Sequence, residues 1–222
     1  MLLGLLKDLY SGTKRTSAPD AIRVSEKDSG GRAAPKTKYN MGCGHHKIAG
    51  HINVDASAVC QPDMVFDLES LPWPFDTSSA DEVVFNHSLE HMGQTPKIFL
   101  GIMQELYRIS KDGAEILINV PHPRHDYFIN DPTHVRPITP LLLRLFDKDL
   151  NDEWKKSGIP NTPLAHYLDV NFKLVFIECV LDEPYKTMRQ QDQISNDEIH
   201  RMLRELNNIA EEYRFKLIVI KS

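Results

Sequence analysis

Tyr39-Asn40-Met41-Gly42-Cys43-Gly44 reads as a short strand running straight into a pair of glycines, and His51-Ile52-Asn53-Val54-Asp55, just behind it, reads as a second strand ending in a carboxylate. Glycine after a strand lets the backbone turn tightly and approach a ligand with no Cβ in the way. On its own G-x-G is a weak signal, because a plain tight turn explains it equally well. Asp55 strengthens it. A carboxylate at the end of the second strand of a parallel sheet can accept hydrogen bonds from the hydroxyls of a ribose lying across the switch point of the sheet. A third strand, Met64 to Asp67, is expected to end at Asp67-Leu68, where a polar group beside an apolar one could hold the edge and face of an adenine. A turn residue at a strand end is the competing explanation of Asp67.

Spacing separates this pattern from a dinucleotide site. The fingerprint G-x-G-x-x-G needs a glycine where this chain has Lys47, and its acidic residue lies about 20 residues further on. Here Asp55 arrives eleven positions after Gly44. That favours an adenosyl ligand without a pyrophosphate. The same short interval leaves only His45 to His51 for the crossover between two parallel strands, which usually takes about a dozen residues. Seven extended residues reach about 23 to 25 Å, enough to return along one short strand, so a loop or single turn is predicted in place of a helix.

Outward from this centre, short apolar runs alternate with helical patterns, which predicts an α/β sheet. Further strands are expected at Glu82 to Asn86, Glu115 to Val120, Phe172 to Val180 and Phe215 to Ile220, seven in all with Lys38 to Met41, Ile52 to Asp55 and Met64 to Asp67. One helix is predicted to open at Thr95-Pro96 and to close at Lys111-Asp112-Gly113, burying Ile98, Phe99, Ile102, Met103, Leu106 and Ile109 on one face. A second follows Thr139-Pro140 through Leu141, Leu142, Leu145 and Phe146. A third begins at the capping box Ser195 to Glu198 and carries Ile199, Met202, Leu203, Leu206 and Ile209 toward the sheet.

Taken in order, Asn40-Met41-Gly42-Cys43-Gly44, Asn53-Val54-Asp55, Asp67-Leu68-Glu69-Ser70-Leu71-Pro72-Trp73-Pro74-Phe75, Ser79-Ala80-Asp81-Glu82-Val83-Val84, His87-Ser88-Leu89-Glu90-His91 and Lys111-Asp112-Gly113-Ala114 resemble the class I S-adenosylmethionine-dependent methyltransferases of the type 11 kind. The resemblance covers Tyr39 to Pro123. It implies a Rossmann-like, mostly parallel seven-stranded sheet with helices on both faces and an antiparallel last strand. It implies S-adenosyl-L-methionine as cofactor, with Gly42 and Gly44 at the methionine part, Asn40 and Cys43 among the cofactor-binding residues, Asp55 on the ribose, Asp67 and Leu68 framing the adenine, and His87 near the sulfonium. The chain departs from the family pattern in its shortened first crossover and in the long helix between its last two strands.

His87 and His91 lie four apart, a spacing that on a helix could ligate a metal beside Glu90. A histidine that caps a helix or contacts the cofactor explains the segment as well, and is the reading adopted. The loop after the fifth strand, Pro121-His122-Pro123-Arg124-His125-Asp126 and then Asp131-Pro132-Thr133-His134-Val135-Arg136, is expected to face the ligand crevice, and residues 121–170 are expected to form the acceptor side. His122 or His134 would serve as general base for a hydroxyl acceptor, with Asp126 or Asp131 to orient it. Arg124 and Arg136 could hold an anionic group. A divalent ion on His122, His125 and Asp126 is the alternative weighed here, and no metal is assigned.

The bulk numbers bound the partners. With a net charge of -5 over 222 residues there is no positive field to draw in nucleic acid. Cys43, Cys60 and Cys179 are widely spaced and form no C-x-x-C pair, which suits a reducing, cytoplasmic setting. Met1 to Tyr10 is too short and too soon charged for a signal peptide or a membrane span, and Ser11 to roughly Lys38 has the composition of a mobile arm. The expected organisation is an N-terminal helix and arm over residues 1–37 and a catalytic domain over 38–222. The expected activity is O-methylation of a small-molecule or glycan-like acceptor. A non-catalytic adenosyl-binding scaffold and a nucleotide-dependent oxidoreductase are the competing classes, and Lys47 argues against the second.

Overall fold

The computed structural model describes residues 36–221; the helix and arm expected ahead of them lie outside the described residues. Seven strands, β1 (Lys38–Met41), β2 (Ile52–Asp55), β3 (Met64–Val65), β4 (Ala80–Asn86), β5 (Ser110–Pro121), β6 (Phe172–Leu181) and β7 (Ala210–Val219), form one sheet in the order β3-β2-β1-β4-β5-β7-β6. β1 to β5 pair in parallel, and β7 runs antiparallel between β5 and β6. This is the mostly parallel Rossmann-like sheet expected, with its last strand reversed and helices on both faces.

The central strands are apolar on both faces because both are covered: Met41, Val54, Val83, Phe85, Ile116, Ile118 and Val120 are fully buried. α1 (Pro96–Ile109) starts where its sequence signal put it. Thr95 accepts the Ile98 amide at 3.3 Å, Pro96 fills the first turn, and the apolar stripe from Phe99 to Ile109 packs into the core. After β5 come α2 (Asp126–Ile129), α3 (Pro140–Arg144), α4 (Lys148–Lys156) and α5 (Leu164–Leu168). α6 (Tyr185–Gln190) and α7 (Asn196–Glu205) lie between β6 and β7. Among the described residues no helix is long and apolar enough to cross a membrane.

The first crossover is a turn, as its length requires. A buried asparagine pair does the work a helix would otherwise do. Asn40 Nδ2 donates to the His46 carbonyl and to Asn53 Oδ1, each at 2.9 Å, and Asn53 Oδ1 also accepts the Ile48 amide at 2.9 Å. The loop backbone is therefore satisfied from inside by two side chains.

Several boundaries differ from expectation. Lys111-Asp112-Gly113 belongs to β5 and does not close α1, because Ser110 already pairs with Ala80 and its hydroxyl donates to the Leu106 carbonyl at 2.7 Å. β3 is two residues long, so Phe66 and Asp67 lie past its end. The helix after Thr139 stops at Arg144, short of Leu145 and Phe146. β7 begins at Ala210, five residues before Phe215, and α7 ends at Glu205, so Leu206 is exposed and never reaches the sheet. The start of β7 was hidden by Glu211-Glu212, whose polar side chains interrupt the apolar alternation.

Candidate functional site

At the carboxyl ends of β1, β2 and β4, the switch point of the sheet, an open pocket of about 390 Å³ is lined by Gly42, Gly44, Asp55, Phe66, Asp67, Leu68, Glu69, His87, Ser88, His91 and their neighbours. Its two glycines are needed for different reasons. Both have positive φ, +67° at Gly42 and +50° at Gly44. A Cβ on Gly42 would stand 2.6 Å from the Ser88 Cβ, so this glycine lets the segment after β4 close against β1. A Cβ on Gly44 would meet nothing within 4 Å and would project into open space. Asp55 braces that turn from β2: its Oδ2 accepts the Gly44 amide at 2.7 Å and its Oδ1 the Ser57 amide at 2.8 Å. Each oxygen keeps acceptor capacity for a ligand hydroxyl.

The adenine-side expectation falls on a wall fixed from behind. Leu68 is buried, and its carbonyl accepts the Trp73 indole at 2.9 Å. Trp73 is held in turn by Glu105 and Arg108 of α1: its amide donates to Glu105 Oε2 at 2.6 Å and its carbonyl accepts from Arg108 Nη2 at 3.0 Å. The Arg108 guanidinium hydrogen-bonded to Glu105 keeps that carboxyl below its ordinary range against the opposing effect of burial. Asp67 itself is exposed and accepts the Glu69 amide at 2.9 Å, which is turn chemistry at the pocket rim. Asn40 and Cys43 are buried and are not among the pocket's lining residues, Asn40 holding the crossover loop and Cys43 placing its thiol on the Gly44 carbonyl at 3.4 Å.

β4 delivers the far wall. His87 has φ +51°, a conformation that costs a non-glycine residue energy and is held here by its surroundings. Its Nε2 lies 2.6 Å from Glu212, and that hydrogen bond raises the imidazole above its ordinary range against the effect of burial. Ser88 donates to the Met41 carbonyl at 2.8 Å, and a single 3-10 turn, Leu89–His91, follows. His87 and His91 therefore do not share a helical face.

The loop after β5 divides. His122 is buried, its Nδ1 accepts the Arg124 amide at 3.2 Å, and its Nε2 meets the Tyr213 hydroxyl at 3.1 Å. Burial above all, with the charges of His125 and Arg124, lowers its pKa to about 4. His125 pairs with Asp182 at 3.0 Å and Asp126 opens α2, its amide on Asn208. None of these three lines the pocket. Arg124 donates to the Arg204 carbonyl, and Arg136 donates to the Gly93 carbonyl while covering the Phe99 ring at 4.4 Å, so both arginines are engaged by the fold.

The second half of the loop folds back. Val135 and Arg136 donate their amides to the Glu90 carbonyl at 2.9 and 3.1 Å, which brings the His134 ring to 4.5 Å from that of the pocket residue His91. Asp131 lies 3.8 Å from His134 Nε2. The ligating atoms of Glu90, His91 and His134 all lie within 4.8 Å of one another. In the sequence the His87 to His91 segment reads as capping a helix or contacting the cofactor, and a metal role is not adopted. The signal lay in Glu90-His91 taken together with His134, 43 residues on, which only the fold brings close.

No family model matches the chain, and no curated protein gives a significant match. Solved structures do. The fold is similar to that of a SAM dependent methyltransferase from Archaeoglobus fulgidus, with a TM-score of 0.52 and 17% identity over 83% of this chain and 86% of that one. It is also similar to a SAM-dependent methyltransferase from Methanosarcina mazei, with a TM-score of 0.50 and 13% identity over 85% and 94% of the respective chains. At such identities the likeness is one of fold.

Proposed function

We propose that this chain is an S-adenosylmethionine-dependent methyltransferase that acts on a hydroxyl of a small-molecule or glycan-like acceptor. The observation that carries the reading is the turn at Gly44, open toward the pocket and braced by the Asp55 carboxylate. The lining supports it further: among the described residues it holds Asp55, Asp67 and Glu69 and neither lysine nor arginine, which suits a sulfonium cation and disfavours a pyrophosphate.

Asp55 accepts the ribose hydroxyls, Phe66 and Leu68 give the adenine an apolar wall, and Gly42 and Gly44 leave room for the amino-acid part. When bound, S-adenosylmethionine supplies a methyl carbon made electrophilic by its sulfonium; the acceptor oxygen forms the new C–O bond as the C–S bond breaks, leaving S-adenosylhomocysteine and the hydroxyl proton. The protein's share is alignment, exclusion of water and a destination for that proton. His87, His91, His134 and Asp131 serve the acceptor side. His122 and Asp126 do not, since both nitrogens of His122 are engaged and Asp126 belongs to α2 outside the lining.

Calorimetric titration with S-adenosylhomocysteine tests the reading. The parent binds one equivalent. Asp55→Ala, which deletes hydrogen bonds to a charged acceptor, weakens binding by roughly tenfold to a hundredfold. Unchanged affinity in that variant, or no binding by the folded parent, overturns it.

A further inference from the structure

We propose that Glu90, His91 and His134 form a site for a first-row divalent transition ion on the acceptor wall of the pocket. Glu90 is 1% exposed, and neither oxygen of its carboxylate hydrogen-bonds another of the described residues. Its nearest charged neighbours are imidazoles beyond hydrogen-bond reach, His87 Nδ1 at 3.8 Å and His134 Nε2 at 4.0 Å from Oε1, and a buried carboxylate with no hydrogen bond is costly unless a cation or a proton meets it. The imidazoles of His91 and His134 join it in one cluster of potential ligands. His134 Nδ1 lies 3.0 Å from the Phe128 carbonyl, which can only accept, so Nδ1 carries the proton and Nε2 the lone pair. That Nε2 stands 4.0 Å from Glu90 Oε1. His91 Nδ1 lies 2.9 Å from the Thr133 hydroxyl, whose own proton goes to Asp131 Oδ1 at 2.6 Å. His91 Nδ1 therefore donates, and its lone pair is on Nε2. His134 thus gives its second nitrogen to an outer partner, the arrangement by which proteins orient metal-ligating imidazoles, and the ring of His91 is held by Thr133.

The distances suit an ion. Two ligand atoms 2.0–2.2 Å from one metal at the tetrahedral angle stand roughly 3.4 Å apart, so a small inward shift closes the observed set onto it. The frame is fixed, because the two amide hydrogen bonds to the Glu90 carbonyl tie the His134 loop to the turn that carries Glu90 and His91. Two imidazoles and one carboxylate favour Zn²⁺, Mn²⁺ or Fe²⁺ over Mg²⁺ or Ca²⁺, which prefer oxygen ligands. Three protein ligands leave a position open, and His91 lines the pocket, so that position can take a substrate oxygen. This last role rests on the methyl-transfer reading; the site itself does not.

The test uses the full chain, stripped with a chelator and titrated with ZnCl₂ by calorimetry and with CoCl₂ by visible absorption. One equivalent is expected to bind, with cobalt bands of a low-coordinate site. His134→Ala and Glu90→Gln are expected to weaken binding by roughly a hundredfold, since even outer-shell losses cost 10–100-fold. Circular dichroism checks that the variants fold, and His91→Ala, at a partly exposed position, carries the test if Glu90→Gln does not. S-adenosylhomocysteine affinity is measured alongside and is expected to persist in His134→Ala. Metal binding without S-adenosylhomocysteine binding in the parent supports the site and overturns the methyl-transfer reading. A stripped protein that takes up neither ion, or that binds them equally in every folded variant, overturns the site.

Discussion

Asp55 braces the glycine turn with one oxygen and the segment after β2 with the other while it lines the pocket, so one side chain sets the shape of the wall and offers it a charge. That dual use is why the residue could be picked from the letters: a carboxylate at a strand end, eleven places after a glycine pair, has few other reasons to be there. His122 shows the opposite case. Its position after β5 made it the natural base, yet burial takes it out of the useful range, and nothing local in the sequence reveals Tyr213, 91 residues away. Because its folded pKa, about 4, lies below that of a free imidazole, the neutral form stabilises the fold above the ordinary value of about 6.5, and that contribution is lost as pH falls toward 4. The ring protons of His122 in a nuclear magnetic resonance titration are thus expected to stay at their neutral positions from pH 8 to about pH 5. A midpoint near 6.5 would contradict the burial argument.

Between elements, the contact that matters most for the pocket is the one from α1 to the segment after β3. Glu105 and Arg108 sit one turn apart on α1 and hold both backbone groups of Trp73, five residues beyond Leu68. Glu105 is held below its ordinary carboxyl range, so its contribution is complete above that range and disappears as pH falls through the lowered value. Glu105→Gln is expected to cost about 1–2 kcal/mol near neutral pH, with allowance for the partly exposed arginine, and to flatten the acid limb of the stability curve. Urea unfolding at a series of pH values reads both effects. An acid limb identical to the parent's would show that the pair does not hold the wall. Elements with strong local signals, such as α1 with its Thr95-Pro96 start, were legible in the sequence. Those whose ends are set by pairing, such as β5 from Ser110 and β7 from Ala210, were not, because polar pairs near their starts, Lys111-Asp112 and Glu211-Glu212, gain strand geometry only from a neighbour.

On the scale of the whole molecule, the sheet order places β1 and β4 side by side, and that adjacency creates the pocket: β1 contributes the glycine turn and β4 the His87 to His91 segment. The reversed β7 brings Glu212 against His87, so even the last strand reaches the site. Fold class, and the gathering of Gly42, Gly44, Asp55, Asp67, Leu68 and His87 around one pocket, could be read because their signals are local and ordered along the chain. The grouping of Glu90 and His91 with His134 could not be, because it joins segments 43 residues apart whose meeting depends on two backbone hydrogen bonds. A crystal structure of the chain with S-adenosylhomocysteine examines the central claim most directly. The account predicts the ribose hydroxyls on the Asp55 carboxylate, with the nucleoside against Phe66 and Leu68. A nucleoside bound elsewhere, or one that leaves Asp55 untouched, would contradict it.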